Sequence, residues 1–208
     1  MIVLLILACG APFCFTVEQN TSTIWQNPTN LSKYQLAWNT LNKSQQDIYY
    51  QVVATSLMNE KIYTTPDFFE PADFKCWSVQ YINQNEAAKT ASRRYSYGLT
   101  ARSRLNEVYD IGPEKVNIKS VLNYTSPNGV EYEYKEDEPK ETDRVIFTDG
   151  KTCDLFNVPR TNEGKGCELW VKSEYKENIP PCCSFIYDLL CGAVGSYDVY
   201  EKNFAQMW

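Results

Sequence analysis

Short runs of apolar and polar residues in alternation dominate this chain and predict β-strands. In the run CWSVQYI (76–82), Trp77, Val79 and Tyr81 alternate with smaller or polar residues. A period of two places successive side chains on opposite faces of a strand. Comparable runs rich in β-branched and aromatic residues are DIYYQVVATSLM, RRYSYGLT, KVNIKSVLNYT, VEYEYKE, RVIFTDGKTCDLFNV and CELWVKSEY. Seven or eight short strands joined by hairpin-length turns predict an all-β fold, either an up-and-down barrel or a sandwich.

Two segments have helical spacing instead. The apolar residues of the first lie three or four positions apart: Leu31, Tyr34, Trp38 and Leu41. Those of the second form one stripe: Phe185, Ile186 and Leu189. Asn30 is placed to cap the first helix and Gly192 to close the second. One short N-terminal helix and one C-terminal helix packed outside favour an eight-stranded antiparallel barrel, which has room for one small ligand.

The first sixteen residues, MIVLLILACGAPFCFT, carry no charge and are largely apolar. They predict a secretory signal peptide at 1–16, although the usual basic start is missing; a buried N-terminal strand is the alternative. The run is shorter than the roughly twenty apolar residues that span a bilayer, so no membrane anchor is expected. The remaining residues, 17–208, suffice for one domain with its own core. We therefore expect a secreted, extracellular protein.

Secretion makes the cysteines informative. Six follow the predicted signal peptide: Cys76, Cys153, Cys167, Cys182, Cys183 and Cys191. In an oxidising compartment they predict up to three disulfides, with fifteen possible connectivities. The chain has no histidine and no C-x-x-C spacing, so we expect neither a zinc site nor another cofactor. Four N-x-S/T sequons predict glycosylation at Asn20, Asn30, Asn42 and Asn123.

Charge and composition narrow the function. The net charge of −6 makes nucleic acids and anionic membranes poor partners. The absence of histidine excludes Ser–His and Cys–His nucleophiles, and no local pattern of paired carboxylates indicates a glycosidase. We expect a binding protein rather than an enzyme. The fifteen tyrosines and five tryptophans suit either a ligand pocket or a large core.

One pair of residues carries candidate chemistry. Glu168 and Trp170 are two positions apart in a predicted strand, so they share a face; Tyr132 and Tyr134 do the same in another. A lone carboxylate inside a barrel costs several kcal/mol unless it is paired or protonated. Histidine is absent and arginines are scarce near these segments. A bound organic cation would supply the missing charge, with cation–π contacts from the rings. Alternatively, Glu168 lies on the outer surface and Trp170 covers an apolar patch.

The joint spacing of these residues resembles a known family. CDL at 153–155 is followed after twelve residues by ELW at 168–170, and then by the cysteines of NIPPCC. This pattern is similar to the amine-binding signature of the tick salivary lipocalins, the histamine-binding proteins. AWNTL, DIYYQVVAT and YDVY extend the likeness over most of the mature chain. The resemblance implies a lipocalin barrel that is secreted in tick saliva and sequesters histamine or serotonin.

The resemblance also implies roles for individual residues. Glu168 and Trp170 would line the main amine site, and Asp154 would direct an acid towards a second, shallower site. Further lining residues would be Glu114, Tyr132 and Tyr134, although Glu114 could equally be a solvated turn residue. The segment after the first strand, SLMNEK, offers Glu60 as its one acid, which argues against a second amine.

The resemblance implies a Cys153–Cys183 disulfide, and elimination then pairs Cys167 with Cys191 and Cys76 with Cys182. We expect a monomer. Two alternatives stay open for the cargo and partner. A fatty acid or eicosanoid would need cationic residues in the barrel, for which the candidates are Arg93, Arg94, Arg102 and Arg104. A surface that binds a complement or platelet factor has no marker in the sequence.

Overall fold

The computed structural model describes residues 24–56, 74–99, 108–133 and 139–202. The predicted signal peptide, Asn20 and Tyr134 lie outside the described residues, as do Glu60, Arg102 and Arg104. Within the described ranges, no helix is long and apolar enough to cross a membrane. Asn42 and Asn123 are exposed, so both sequons are accessible, and their glycosylation stays a prediction.

The described strands form one antiparallel sheet that closes on itself. Their bounds are β1 Ile48–Ala54, β2 Phe74–Asn85, β3 Thr90–Leu99, β4 Val108–Lys119, β5 Gly129–Tyr132, β6 Glu141–Thr148, β7 Cys153–Val158, β8 Gly166–Lys172 and β9 Tyr197–Asp198. Strands β2 to β8 pair in sequence order, and β1 pairs with both β8 and β2. The two-residue β9 adds to β1 through Val53 opposite Asp198. The predicted eight-stranded antiparallel up-and-down barrel is confirmed.

The helices lie before and after the barrel strands. They are α1 Pro28–Leu31, α2 Ala37–Leu41 and α3 Pro181–Leu190, with 3-10 turns at Ile24–Gln26, Ser32–Tyr34, Asn162–Gly164, Ser173–Tyr175 and Gly192–Val194. The single N-terminal helix predicted from Leu31 to Leu41 is therefore broken. Gln35 at the break is fully buried. Its Nε2 donates to the Trp25 carbonyl at 2.8 Å, and its Oε1 accepts from the Tyr124 hydroxyl at 2.7 Å. These contacts anchor the chain where the periodic pattern predicted a continuous helix.

Helix α3 is confirmed as an element, but of its predicted apolar stripe only Ile186 packs against the buried residues beneath the helix. Phe185 and Leu189 are 62% and 57% exposed, whereas Cys183 and Tyr187 are buried. The face that packs on the barrel is set by the cysteines, because Cys183 is bonded to β7 and Cys191, just after the helix, to β8.

The structure contains two of the three predicted disulfides, Cys153–Cys183 and Cys167–Cys191. The Cys76–Cys182 pair is wrong, since both thiols are free. Cys182 is exposed at the start of α3, whereas Cys76 is buried on β2 with its Sγ 3.6 Å from the Glu201 carbonyl. The two side chains therefore lie in different environments and do not meet.

Alternation along the strands divides the apolar residues into an inner and an outer core. Inside the barrel pack Trp77, Val79, Val116, Val130 and Trp170, among others. The outer core lies between the barrel wall and α3 and contains Leu155, Leu169, Val171, Cys183 and Tyr187. On β8, Trp170 therefore points inward while Leu169 and Val171 point outward. Burying each large apolar side chain contributes roughly 1.5–3 kcal/mol.

Candidate ligand-binding site

The inside of the barrel contains a cavity to which all eight barrel strands contribute side chains. Its volume is about 580 Å³, counted to include space open to solvent. Aromatic and charged side chains together form its wall, and the Arg93 guanidinium lies against the rings of Tyr95 and Tyr132.

Glu168 and Trp170 both line this cavity, as their shared face predicted. The Trp170 indole Nε1–H donates to Glu168 Oε2 at 3.1 Å, which orients the carboxylate. Among the described residues, Glu168 forms no ion pair with a lysine or arginine. The alternative, in which Glu168 lies on the outer surface, is wrong because the bonded neighbours Cys167 and Leu169 occupy that face.

Glu114 also lines the cavity, but the chain supplies its counter-charge. The Arg93 Nε and Nη2 atoms lie 2.7 and 2.6 Å from Glu114 Oε2. The strand pairing shifts beside Arg93, and Gly112 permits the close approach of β4, since a Cβ there would lie 2.7 Å from the Arg93 carbonyl oxygen. Glu114 is thus a wall residue in an ion pair rather than a solvated turn residue. Arginines are scarce near the Glu168 segment along the sequence, but the fold brings Arg93 to an inward acid of the cavity.

Arg160 forms a second network of charged and polar groups in the cavity, which the sequence did not predict. Arg160, just after β7, donates to the Tyr132 hydroxyl and to Glu141 Oε2, the latter at 3.2 Å. The Tyr132 hydroxyl in turn donates to Asp143 Oδ1 at 3.1 Å, and Arg160 Nη1 lies 3.8 Å from the same oxygen. Tyr132 therefore lines the cavity as expected, but its hydroxyl is committed to this network.

The Asp143 carboxyl in the cavity wall is buried and has a raised pKa. Asp143 is 8% exposed, and burial raises the pKa of its carboxyl to about 7. Arg160 opposes this rise, while the negative charge of Glu168 adds to it. The two carboxylates are therefore close enough to repel each other. A cation bound near both would lower the free energy of the doubly ionised state.

The lining charges leave a negative excess. Three carboxylates and two guanidinium groups line the cavity: Glu114, Asp143, Glu168, Arg93 and Arg160. When all are ionised their sum is −1, and Arg160 also serves Glu141. Among the described residues, Glu168 is the acid of this set without an ion pair: the Trp170 indole donates to it, and the Arg160 charge acts on it from beyond ion-pair distance.

The aromatic wall adjoins this acid. Tyr95 lies between two indoles, with its ring centroid 6.0 Å from that of Trp77 and 6.1 Å from that of Trp170. Trp77 also stacks on Tyr97, with the centroids 4.6 Å apart. Ring faces at this position can add roughly 0.5–2 kcal/mol each to the binding of a cation.

Asp154 does not line this cavity. It is 1% exposed, its Oδ1 is 3.1 Å from Lys43 Nζ, and the Thr148 hydroxyl donates to the same oxygen at 2.6 Å. Burial raises the pKa of the Asp154 carboxyl, and the Lys43 ammonium is the largest influence that opposes the rise. The second acid named by the resemblance is thus in contact with a cation of the chain itself.

Two of these cavity residues have a signal in the sequence: Arg93, named above only as a candidate cation for an anionic cargo, and Asp143, which was missed. Arg93 is two positions before Tyr95, and Asp143 is two positions before the inward Val145, so alternation places both on the inner face. Arg160 follows the end of β7, where no strand period applies, and its position could not be predicted from the pattern.

The sequence of this chain is similar to that of known proteins. A family model described as tick histamine binding protein matches residues 25–206. The male-specific histamine-binding salivary protein of Rhipicephalus appendiculatus is 29% identical over 185 residues, which cover 87% of this chain and 84% of that protein.

Two solved structures have a similar fold. The crystal structure of the AM182 serotonin complex gives a TM-score of 0.52 at 19% identity, covering 80% of this chain and 90% of that one. Japanin from Rhipicephalus appendiculatus bound to cholesterol gives a TM-score of 0.50 at 15% identity, covering 76% and 94%.

Proposed function

The chain belongs to the tick histamine-binding protein family, and on that premise we propose that it captures a small biogenic amine, histamine or serotonin, inside the barrel. The amine binds as a cation between Glu168 and the Asp143 carboxylate, with the rings of Trp170 and Tyr95 beside it. Capture is stoichiometric and involves no chemical change in the ligand. Relatives and structural neighbours named for histamine and serotonin support this choice of ligand class.

The observation that carries the proposal is the state of Glu168. It is an inward carboxylate in a cavity lined by aromatic rings, the indole Nε1–H of Trp170 donates to it at 3.1 Å, and within the described chain it forms no ion pair. An organic ammonium would give Glu168 a charge-assisted hydrogen bond and would lie against ring faces. Both requirements are met by an aliphatic ammonium that carries an aromatic ring, as in histamine and serotonin.

A carboxylate cargo is less well supported. The fatty-acid alternative needs an arginine that is available to the ligand, but Arg93 is paired with Glu114 and Arg160 with Glu141 and Asp143. Arg94 is exposed. An anionic headgroup would have to displace one of these internal carboxylates and would meet the charge of Glu168.

Isothermal titration calorimetry with histamine, serotonin and a long-chain fatty acid tests the proposal. We expect at least one amine to bind, and Glu168→Gln to weaken that binding by roughly 10–100-fold, because a hydrogen bond to a charged group contributes about 1.5–3 kcal/mol. Glu131→Gln is the matched control. Glu131 follows the opposite alternation to Tyr132 on β5 and pairs with the exposed Lys119 outside the cavity.

The proposal fails if no amine binds, or if the two glutamine variants behave alike. Tight binding of the fatty acid, unaffected by Glu168→Gln, would favour the alternative cargo instead. Binding of neither class would leave a protein partner, which pull-down from host plasma with the same preparation would reveal.

We also propose that the protein is secreted into saliva after removal of residues 1–16 and acts as a monomer. The salivary relative supports secretion. N-terminal sequencing of the protein from the medium of expressing insect cells should begin near residue 17, and sedimentation should give one chain of about the mass of the mature sequence.

A further inference from the structure

A second acidic centre lies at the end of the barrel next to helix α2, apart from the cavity of Glu168. Its acid is Asp154 on β7, whose Oδ1 receives the Thr148 hydroxyl at 2.6 Å and Lys43 Nζ at 3.1 Å. The side chains of Lys43 and Asp154 are each 1% exposed. The Lys43 ammonium also lies 4.7 Å from the centre of the Tyr49 ring.

This arrangement contains every element of an ammonium-binding site. A buried carboxylate accepts from the ammonium, a hydroxyl holds the carboxylate in place, and a ring face lies against the charge. The ammonium, however, is part of the chain. Lys43 reaches inward from the turn after α2, where its carbonyl oxygen accepts from Gln84 Nε2 at 2.9 Å.

The centre is separated from the main cavity by aromatic side chains. Tyr81 lines the main cavity, and its ring meets the Tyr49 ring edge to face with centroids 6.5 Å apart. Tyr49 also lines a depression that opens to solvent at the same end of the barrel. Lys43 lines this depression too, so its side chain lies between solvent and Asp154.

We propose that Lys43 is the resident cation of a second ammonium site formed by Asp154, Thr148 and Tyr49. The intact chain therefore takes up one amine, in the cavity of Glu168, and loss of the Lys43 side chain opens the second site to a small primary ammonium. The statement about stoichiometry rests on the proposed function. The statement about the site itself does not.

Lys43→Ala tests the site directly. Alanine keeps Cβ, so the atoms removed correspond to n-propylammonium. Breaking a buried ion pair by removing one partner should lower Tm by roughly 10 °C. Titration with n-propylammonium chloride should then raise the Tm of Lys43→Ala by about 5–10 °C near saturation, relative to sodium chloride at equal ionic strength.

Two controls define the site. Lys119→Ala removes an exposed lysine that pairs with Glu131, and we expect no specific rescue by n-propylammonium. Lys43→Ala with Asp154→Asn removes the acid as well, and the rescue should disappear. A rescue of equal size in Lys119→Ala, or in the variant without Asp154, would overturn the proposal, and so would a Lys43→Ala variant that propylammonium does not stabilise.

If Lys43→Ala does not fold in buffer alone, the recovery of folded protein after refolding becomes the readout. Higher recovery with n-propylammonium than with sodium chloride supports the site, and equal recovery overturns it. Calorimetry with histamine adds the stoichiometry: one per chain for the wild type supports the proposal, and two overturns it. If the wild type binds no amine while propylammonium still stabilises Lys43→Ala, the proposed function fails and the Lys43 site stands.

Discussion

Asp143→Asn should remove most of the pH dependence of amine binding. In the free protein, burial holds the pKa of the Asp143 carboxyl at about 7, and the charge of Glu168 contributes to that value. Arg160, Arg93 and the Tyr132 hydroxyl favour the ionised form but do not offset burial. A bound ammonium favours ionised Asp143, so binding at acidic pH must first release its proton.

The size of the effect follows from this pKa. A carboxyl with a pKa of about 7 is about one-tenth ionised at pH 6 and about nine-tenths at pH 8, so wild-type affinity should fall roughly tenfold from pH 8 to pH 6, or ~1.4 kcal/mol. Serotonin is the better probe, because a primary amine with a pKa near that of lysine, about 10.4, keeps its charge across this range.

Quenching of the cavity tryptophans during titration at pH 6, 7 and 8 measures the effect. Calorimetry in buffers of different ionisation enthalpy should show proton release near pH 6 for the wild type and little for Asp143→Asn. The reasoning is refuted if the asparagine variant keeps the same slope, or if wild-type affinity rises as pH falls.

The same pKa predicts a change in the stability of the ligand-free protein. Asp143 binds its proton more tightly in the folded state, where its pKa is about 7, than in the unfolded chain, where it is near the usual 3.8. Its contribution to the free energy of unfolding is therefore present below about pH 4 and is lost as pH rises through 7. The Tm of Asp143→Asn, measured relative to the wild type, should increase between pH 5 and pH 8. A difference that stays constant with pH would contradict the assignment.

Two further predictions concern the cysteines. In the native protein, iodoacetamide should modify the exposed Cys182 and leave Cys76 unmodified until the protein is unfolded. Cys76 is protected because it is buried and burial raises the pKa of its thiol. Peptide mass mapping measures the labelling of each cysteine, and equal labelling would contradict the prediction. Replacing Cys153 and Cys183 together by alanine should lower Tm by roughly 5–15 °C, because a disulfide contributes about 2–4 kcal/mol to the free energy of unfolding. Differential scanning calorimetry measures this change in Tm, and Cys182→Ala, which removes a free thiol, is the control that should leave Tm unchanged.

The barrel could be predicted from the sequence because the strand period is a local property. Trp77, Val79 and Tyr81 alternate along β2 and all three are buried inside. The helices were less predictable, since distant contacts decide their extent and their buried face. Gln35 ends the first helical segment through bonds to residues ten and eighty-nine positions away. Two disulfides, rather than the stripe that contains Phe185, determine which face of α3 packs on the barrel.

The candidate site was predictable in its acid and its indole, but not in its ion pairs. Alternation alone places Glu168 and Trp170 together on the inner face of β8. Which cations meet the inward acids depends on residues far along the chain. Lys43 reaches Asp154 across 111 positions, and Arg160 enters the cavity from the segment after β7. No local period contains that information.

These ion pairs give two acids of one hairpin different electrostatic environments. Asp154 and Glu168 lie on the adjacent strands β7 and β8, and both are on the inner side of the barrel. Among the described residues, three inward carboxylates have a cationic partner from the chain: Glu114 with Arg93, Asp143 with Arg160, and Asp154 with Lys43. A tethered cation is always present at its acid, so a free amine must displace it in order to bind. Glu168 has an indole N–H instead, which orients the carboxylate without neutralising it. Under the proposed function, we therefore expect a ligand cation to gain most at Glu168, the one acid of this set that forms no ion pair within the described residues.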